Sequence, residues 1–339
     1  MRKVIVTVLM LVAACGLSAA EAVHEIDVAI VGDGPAAYGA GMYVGAARLP
    51  GGAAIFGRSH GGALTGATES VNNWPAVSGK NGSAIMDDFA AQVKALGVLF
   101  IDDVITSIDF SACPYRLQSS ESGVWYAHSI IIATGLSPQR LNVPGETEYW
   151  GAGVATCALC EAPLYEGKDV VVIGGGDSAV DKALHLAKYA SHVTVYVRKK
   201  KMRAQAIMQE RLADASDRVD VVLRKEIVEI LGDGEKVVGI KLKDLATDVV
   251  EEVRTDAVFL AIGYAPNTEL FKDAVQLTPA GYISTQDGSV ITNLSGVFAA
   301  GTVTDLGQRY NQAFIATGFG GQAGIEAVKY IRYQAKRSR

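Results

Sequence analysis

Two glycine-rich loops, each placed between a predicted strand and a predicted helix, constrain the fold of this chain most strongly. The first runs from Gly32 to Ala37 after the apolar segment 26–30, and the second runs from Gly174 to Ala179 after the apolar segment 169–173. Strand, glycine turn and helix form the phosphate-binding start of a Rossmann unit, because glycines let the backbone approach a pyrophosphate whose charge the helix N-terminus attracts. One such loop is weak evidence, but two loops about 140 residues apart predict two nucleotide-binding units.

Length and composition agree with that organisation. The chain has 339 residues, of which 49% are hydrophobic and 20% charged, so a folded protein of about two domains is expected. Two further apolar runs that end in glycine, at 129–135 and 257–263, are typical of buried parallel strands. The predicted fold class is therefore α/β. A net charge of −5 gives no reason to expect a nucleic-acid partner.

The first 22 residues form a separate unit. Arg2 and Lys3 precede the apolar run 4–14, and small residues follow as far as Ala22. This pattern predicts a secretory signal, and the run is shorter than the roughly 20 residues that span a bilayer. Cleavage after Ala22, cleavage after residue 20 and lipidation of Cys15 are the alternatives. We therefore expect an exported or organellar protein, in the periplasm, on the secretory route or anchored by a lipid, and a cytoplasmic one if the leader does not function.

Cys157 and Cys160 form a Cys-x-x-Cys pair just ahead of the second glycine loop. Such a pair can close a small disulfide ring or release two thiols, and a neighbouring dinucleotide site could supply the electrons. No second Cys-x-x-Cys and no closely spaced histidine pair accompanies them, so a zinc site is not expected and we predict no metal. Cys113 has no activating base or cation beside it in the sequence and is expected to be an inert thiol.

A basic segment follows the strand predicted at 192–197. Five cations lie between Arg198 and Arg203, where an NAD site normally carries an acidic residue that binds the ribose hydroxyls. Positive charge at this position favours a ribose phosphate and hence NADPH, with Arg198, Lys199 and Arg203 as the candidate ligands. The alternative is a solvated basic face, which is the usual meaning of a charge run.

The order of these motifs resembles that of the low-molecular-weight thioredoxin reductases from Ile26 to Ile331. The matching segments are Gly32-Asp33-Gly34-Pro35-Ala36, Gly61-Gly62-Ala63-Leu64-Thr65, Asn73-Trp74-Pro75, Ala133-Thr134-Gly135, Cys157-Ala158-Leu159-Cys160, Gly174-Gly175-Gly176, Ala261-Ile262-Gly263, Pro266-Asn267-Thr268 and Gly296-Val297-Phe298-Ala299-Ala300-Gly301. The resemblance implies two Rossmann-like domains, with the NADPH domain (142–268) inserted into a discontinuous FAD domain (24–141 and 269–335).

The resemblance also implies the residues that hold the two cofactors. For FAD they are Gly32, Gly34, Pro35, Ala36, Gly61, Gly62, Leu64, Thr65, Asn73, Ala133, Thr134, Gly135, Gly301, Thr302, Asn311, Gln312 and Ala313. For NADPH they are Gly174, Gly176, Asp177, Ser178, Ile262 and Gly263, together with the three cations of the basic segment.

By the same resemblance, NADPH reduces FAD, the flavin reduces the cysteine disulfide, and the thiols reduce thioredoxin or a similar protein. Cys160 would face the flavin, Cys157 would attack the protein substrate, and Glu161 would transfer a proton. Two positions depart from the family pattern: Glu161 replaces the usual Asp, and Thr302 replaces the Asp of a Gly-Asp pair at the flavin ribitol. The family further implies a homodimer and rotation of the NADPH domain about hinges near 141–144 and 264–268. A membrane contact is expected only if Cys15 is lipidated.

Two alternative functions stay open on the sequence. One is a dithiol oxidase of the same fold that passes electrons from a substrate through the cysteines and FAD to oxygen, which export would favour and the basic segment would not. The other is a non-catalytic flavin-binding module, in which Cys157 and Cys160 form a static disulfide.

Overall fold

The computed structural model describes residues 22–66, 71 and 74–337, without the side chains of residues 159 and 160. Residues 1–21 of the predicted leader, with Cys15, and the predicted FAD ligand Asn73 lie outside this description.

Short strands and seven α-helices make up the described part of the chain. The strands are β1 (Val23–Val31), β2 (Ala53–Phe56), β3 (Leu99–Ile101), β4 (Ile105–Asp109), β5 (Tyr115–Ser119), β6 (Val124–Ile132), β7 (Leu136–Pro138), β8 (Val154–Ala155), β9 (Asp169–Ile173), β10 (His192–Val197), β11 (Val219–Leu223), β12 (Lys225–Gly232), β13 (Val237–Asp244), β14 (Val250–Arg254), β15 (Ala257–Leu260), β16 (Tyr264–Pro266) and β17 (Val297–Ala299). The α-helices are α1 (Pro35–Ala46), α2 (Gly82–Ala95), α3 (Ala158–Glu161), α4 (Asp177–Leu186), α5 (Ala206–Asp214), α6 (Asp305–Arg309) and α7 (Ala313–Arg337). Short 3-10 helices occupy Gly62–Gly66, Ala162–Tyr165, Gln286–Gly288 and Gly301–Val303.

The first sheet combines strands from both ends of the chain. Its parallel part has the order β3-β2-β1-β6, and β6 pairs along its second half with β17, in register at Ile131 and Phe298. The first half of β6 pairs antiparallel with β5, which pairs with β4. Because β17 lies near the end of the chain and completes a sheet that β1 begins, this unit is discontinuous in sequence.

Both faces of the first sheet are covered, which explains the apolar run at β1. Val28 and Ile30 pack on one face with α1 and α7, whereas Ala29 and Val31 pack on the other. Helices α1 and α7 cross at backbone contact. A Cβ on Gly39 would collide with the carbonyl oxygen of Thr317, so only glycine permits this approach.

The second sheet is entirely parallel and has the order β11-β10-β9-β15-β8. In β9, Val170 and Val172 pack towards α4. Val171 and Ile173 pack on the opposite face against the antiparallel sheet β12-β13-β14. This unit is therefore a second Rossmann-like core with its own two covered faces.

A two-stranded antiparallel ladder marks where the chain passes between the two units. β7 pairs with β16, with Ser137 opposite Ala265. The chain leaves the first sheet after β6, builds the second unit and returns through β16. The predicted α/β class, with one Rossmann-like domain inserted into another, is confirmed, while the domain limits themselves stay a prediction. Within the described residues, no helix combines the length and apolar character that crossing a membrane requires.

Candidate active site

The first glycine loop brings together residues that the resemblance assigns to FAD. Gly32 has a φ of 111°, and a Cβ there would collide with the carbonyl oxygen of Ala133 at the end of β6. A Cβ on Gly62 would lie 2.9 Å from Cα of Gly34. Three separate segments thus meet at backbone contact, a cradle that side chains would fill.

The segment after β17 joins the same cradle. A Cβ on Gly301 would lie 2.7 Å from Cβ of Ala36 in the first turn of α1, and a Cβ on Gly135 would lie 3.6 Å from Oγ1 of Thr302. Pro35 begins α1, and its missing N–H is no loss at that position. These contacts fit the predicted FAD site, because glycines and small residues from both ends of the chain surround the N-terminus of α1.

Other predicted FAD residues lie on the segments that border this cradle. Gly61 precedes the 3-10 helix that carries Leu64 and Thr65, and Thr65 donates to the carbonyl of Gly62 at 2.8 Å. Asn311 and Gln312 lead into α7, which begins at Ala313.

Thr134 forms a contact that the sequence does not reveal. Its hydroxyl donates to the carbonyl of Asn267 at 2.7 Å, and the Asn267 side-chain amide donates back to the carbonyl of Thr134 at 2.8 Å. The backbone N–H of Asn267 also donates to the carbonyl of Gly135. These reciprocal bonds join the two chain segments that connect the units, so Thr134 and Asn267 hold the crossover together.

The second loop repeats the backbone device of the first. Gly174 has a φ of 150°, and a Cβ there would collide with the carbonyl oxygen of Ala261 after β15. A Cβ on Gly175 would lie 2.7 Å from Cγ1 of Val197. Gly176, by contrast, faces open space at the start of α4 and has no protein atom within 4 Å of its Cβ position. The loop therefore fits a pyrophosphate in front of α4.

The side chains around the second loop form part of its wall. Asp177 accepts from the backbone N–H of Gln205 at 2.7 Å and from its side-chain amide at 2.8 Å, next to Ser178 in the first turn of α4. The backbone N–H of Arg203 donates to the carbonyl of Gly175 at 2.6 Å. The basic segment is thus folded onto the glycine loop.

The other two cations and the β15 end complete this region. Arg198 is exposed and lies 3.5 Å from Oε1 of Glu226, a long ion-pair distance that leaves the guanidinium open to solvent. Lys199 is also exposed. Ile262 and Gly263 follow β15, and the carbonyl of Gly263 accepts from the backbone N–H of Gln139 at 2.9 Å.

Cys157 lies in a turn that leads into α3, and its carbonyl accepts from the N–H of Glu161 at 3.3 Å. Burial raises the pKa of the Glu161 carboxyl above its ordinary value, since a buried carboxylate loses its hydration. Cys160 lies on α3, outside the described side chains. Cys113 is a free thiol at the surface. Partial burial raises the pKa of this thiol, in keeping with the inert role expected for it.

Lys182 is a residue that sequence reasoning missed. Its ammonium donates to the carbonyl of Thr156, directly before Cys157, and to the carbonyl of Leu260 at 3.1 Å. Burial lowers the pKa of this amine. The lysine on α4 therefore ties the cysteine turn to the end of β15. A lysine one helical turn from the apolar residues Ala179 and Leu186 is the signal that could have drawn attention to it.

A cavity of about 460 Å³ lies beside the first glycine loop. Its walls include Asp33, Tyr38, Gly57, Ile101 and Lys94. Burial is the main cause that raises the pKa of Tyr38 to about 12, and the negative charges of Asp33 and Asp87 add to it. Within the described residues, no group of three or more His, Cys, Asp or Glu side chains could hold a metal ion.

Comparisons with known proteins agree with this geometry. Residues 26–333 match the family model described as pyridine nucleotide-disulphide oxidoreductase. The thioredoxin reductase of Neurospora crassa is 40% identical over 314 residues, which cover 90% of this chain and 93% of that protein. The thioredoxin reductase of Coxiella burnetii is 37% identical over 309 residues, covering 89% and 95%.

Solved structures show the same relationship. Thioredoxin reductase from Lactococcus lactis superposes with a TM-score of 0.75 at 32% identity, covering 91% of this chain and 99% of that one. The enzyme from T. acidophilum gives a TM-score of 0.72 at 30% identity, covering 90% and 98%. The chain belongs to the pyridine nucleotide-disulphide oxidoreductase family and, within it, to the low-molecular-weight thioredoxin reductases.

Proposed function

We propose that this protein is an NADPH-dependent, FAD-containing thioredoxin-disulfide reductase. The observation that carries the proposal is the pair of glycine loops in which Gly32 and Gly174 touch the ends of neighbouring strands, with Cys157 just ahead of the second loop. The relatives that match along about nine-tenths of the chain are thioredoxin reductases. NADPH supplies two electrons as hydride, and FAD when bound relays them to a disulfide.

The residues of each loop supply binding rather than chemistry. The cradle of Gly32, Gly34 and Gly62 would hold the FAD pyrophosphate, and Gly176 would leave room for that of NADPH. Arg198 and Arg203 provide positive charge for the ribose phosphate. Thr302 stands where the family has an acidic side chain, so its hydroxyl offers a neutral hydrogen bond to the flavin ribitol.

Cys157 and Cys160 carry the disulfide exchange. Cys157 is disulfide-bonded in the structure, which supports this pairing. Once the pair is reduced, the Cys157 thiolate attacks one sulfur of the partner disulfide, so that a mixed disulfide forms and the second partner sulfur leaves as a thiolate. Cys160 then attacks Cys157, which restores the internal disulfide and releases the second partner thiol. The two electrons of the dithiol pass to the partner.

Glu161 and Lys182 prepare this exchange. Glu161 holds a proton to higher pH than an ordinary glutamate, because burial raises its pKa, and it can deliver that proton to a departing thiolate. Lys182 holds the backbone at Thr156 in place and thereby positions Cys157.

The partner, assembly, domain limits and compartment are part of the same proposal. The names of the relatives support thioredoxin or a thioredoxin-like protein as the substrate. We place the FAD domain at 24–141 and 269–335 and the NADPH domain at 142–268, and we propose a homodimer. The basic and apolar composition of the first 22 residues supports an exported or organellar protein.

Anaerobic addition of NADPH to the purified holoprotein tests the activity against the two alternatives. A reductase loses its flavin absorbance with NADPH and then reduces thioredoxin, and Cys157→Ser keeps the first response and loses the second. Loss of absorbance with a dithiol alone would favour the oxidase. No response to either donor would favour the binding module.

A further inference from the structure

The end of β2 departs from the usual nucleotide-binding pattern. Rossmann units place an acidic residue about 20 residues after the glycine loop, at the end of the second strand, where its carboxylate binds the ribose 2′-hydroxyl. In this chain β2 ends at Phe56, and Gly57 and Arg58 follow. The first loop thus has no carboxylate at the expected position of the chain.

The side chain of Asp33, which belongs to the glycine loop itself, occupies the space that a side chain at position 57 would fill. A Cβ on Gly57 would lie 2.7 Å from Cβ of Asp33 and closer still to its carboxyl carbon. Asp33 is 8% exposed. Its carboxylate therefore lies at the end of β2, although it is attached to the end of β1.

Backbone donors hold this carboxylate in place. Oδ2 of Asp33 accepts from the N–H groups of Ser59 and His60, each at 2.7 Å, and the Ser59 hydroxyl donates to Oδ1. These bonds tie the chain after β2 to the Asp33 side chain. The carboxylate is thus fixed by the protein before any ligand arrives.

Asp33 borders the cavity of about 460 Å³, a volume within the range of about 300–1,000 Å³ that ligand pockets occupy. Two other carboxylates, Asp87 and Asp102, line the same cavity, but both are exposed. Asp33 is therefore the buried acid among the three. A buried, preorganised acceptor gains more from a ligand hydroxyl than a solvated one, because water competes less for it.

We infer that Asp33 replaces the strand-end acid and binds the 2′-hydroxyl of the adenosine ribose of FAD. This inference rests on the flavin cofactor of the proposed function. It adds a specificity-determining residue in the first loop, and it explains why glycine is required at position 57: any side chain there would displace the carboxylate.

The binding of FAD and of an FAD analogue with 2′-deoxyadenosine to the apoprotein tests the inference. Wild-type protein should bind FAD about tenfold to a hundredfold more tightly than the analogue, which lacks one charge-assisted hydrogen bond. Asp33→Ser should lose this preference and bind both molecules alike. Asp87→Ser, a matched change on the same cavity, should keep the preference.

A transfer of the carboxylate sharpens the test. Gly57 does not have a positive φ, so its backbone accepts a side chain. Asp33→Ser combined with Gly57→Glu should recover the preference for FAD, whereas Gly57→Glu alone should weaken FAD binding through collision with Asp33. Equal affinity of wild-type protein for FAD and the analogue would overturn the inference, as would an unchanged preference in Asp33→Ser. A wild-type protein that binds neither would overturn the proposed function as well.

Discussion

The two glycine loops share one backbone device and differ in the charges around it. At both, a glycine with positive φ touches a carbonyl at the end of a neighbouring parallel strand, Ala133 for Gly32 and Ala261 for Gly174. The first loop keeps a buried carboxylate, whereas the second is covered by a basic segment that Arg203 anchors. In the proposed function, the common backbone binds a pyrophosphate, and the different charges select which nucleotide carries it.

The largest effect is expected where the shared glycine contact is removed from one loop only. Gly174→Ala should abolish NADPH binding and lower the free energy of unfolding by about 1–3 kcal/mol, since its Cβ collides with a carbonyl at a strained φ. Flavin absorbance of the purified variant should stay at the wild-type level. Gly176→Ala is the matched control for stability alone and should lower the free energy of unfolding by less than about 1 kcal/mol, because its Cβ meets no protein atom. Loss of FAD rather than of NADPH binding in Gly174→Ala would contradict the assignment of the second loop to NADPH.

The next effect concerns the proton that Glu161 is proposed to deliver to a departing thiolate. Glu161→Gln should lower thioredoxin-dependent turnover about a hundredfold, the lower end of the range for general acids. Burial raises the pKa of Glu161, so wild-type kcat should fall as pH rises through that raised pKa, when the donating form is lost. The variant should lack this limb of the pH profile. A profile that is unchanged in Glu161→Gln would contradict the assigned role.

A smaller effect tests the charge difference between the loops directly. Arg203→Ala should lower kcat/KM for NADPH about tenfold through the loss of one charged contact and leave kcat/KM for NADH unchanged. Lys236→Ala, an exposed cation in the β12–β13 turn, is the control and should change neither value. If Arg203→Ala changes neither value, the basic segment is only a solvated face, and equal weakening of both nucleotides would mean that Arg203 does not recognise the ribose phosphate.

The smallest effect concerns Lys182, which has no counterpart at the first loop. Lys182→Met should reduce the free energy of unfolding by about 1 kcal/mol, because two carbonyls lose a donor. Lys188 is an exposed lysine just after α4, and the free energy of unfolding of Lys188→Met should stay within about 0.5 kcal/mol of the wild-type value. Equal stability of the two variants in thermal unfolding would show that the contacts at Lys182 contribute nothing.

Sequence patterns predicted the parts of the fold that depend on local signals. Both glycine loops and the buried runs of β6 and β15 are visible because strand, turn and helix follow one another within a few residues. The resemblance to the low-molecular-weight thioredoxin reductases implied the inserted domain, and the structure agrees, because β17 pairs with β6 in the sheet that β1 begins.

Contacts between distant segments could not be predicted in the same way. Thr134 and Asn267 are 133 residues apart, and their reciprocal hydrogen bonds follow from the crossover of the folded chain. The position of the Asp33 side chain depends on the absence of a side chain at Gly57. The two residues come together only because β1 pairs with β2, which the sequence does not show. Lys182 likewise gains its role from the turn that packs above α4.

Cysteine labelling after anaerobic reduction tests the central claim most directly. The holoprotein is treated with NADPH, alkylated, and digested for mass spectrometry, with the exposed free thiol of Cys113 as an internal reference that is labelled with or without NADPH. The account predicts that Cys157 and Cys160 become labelled only after NADPH is added. Failure of NADPH to expose these two thiols in a flavin-loaded protein would contradict it.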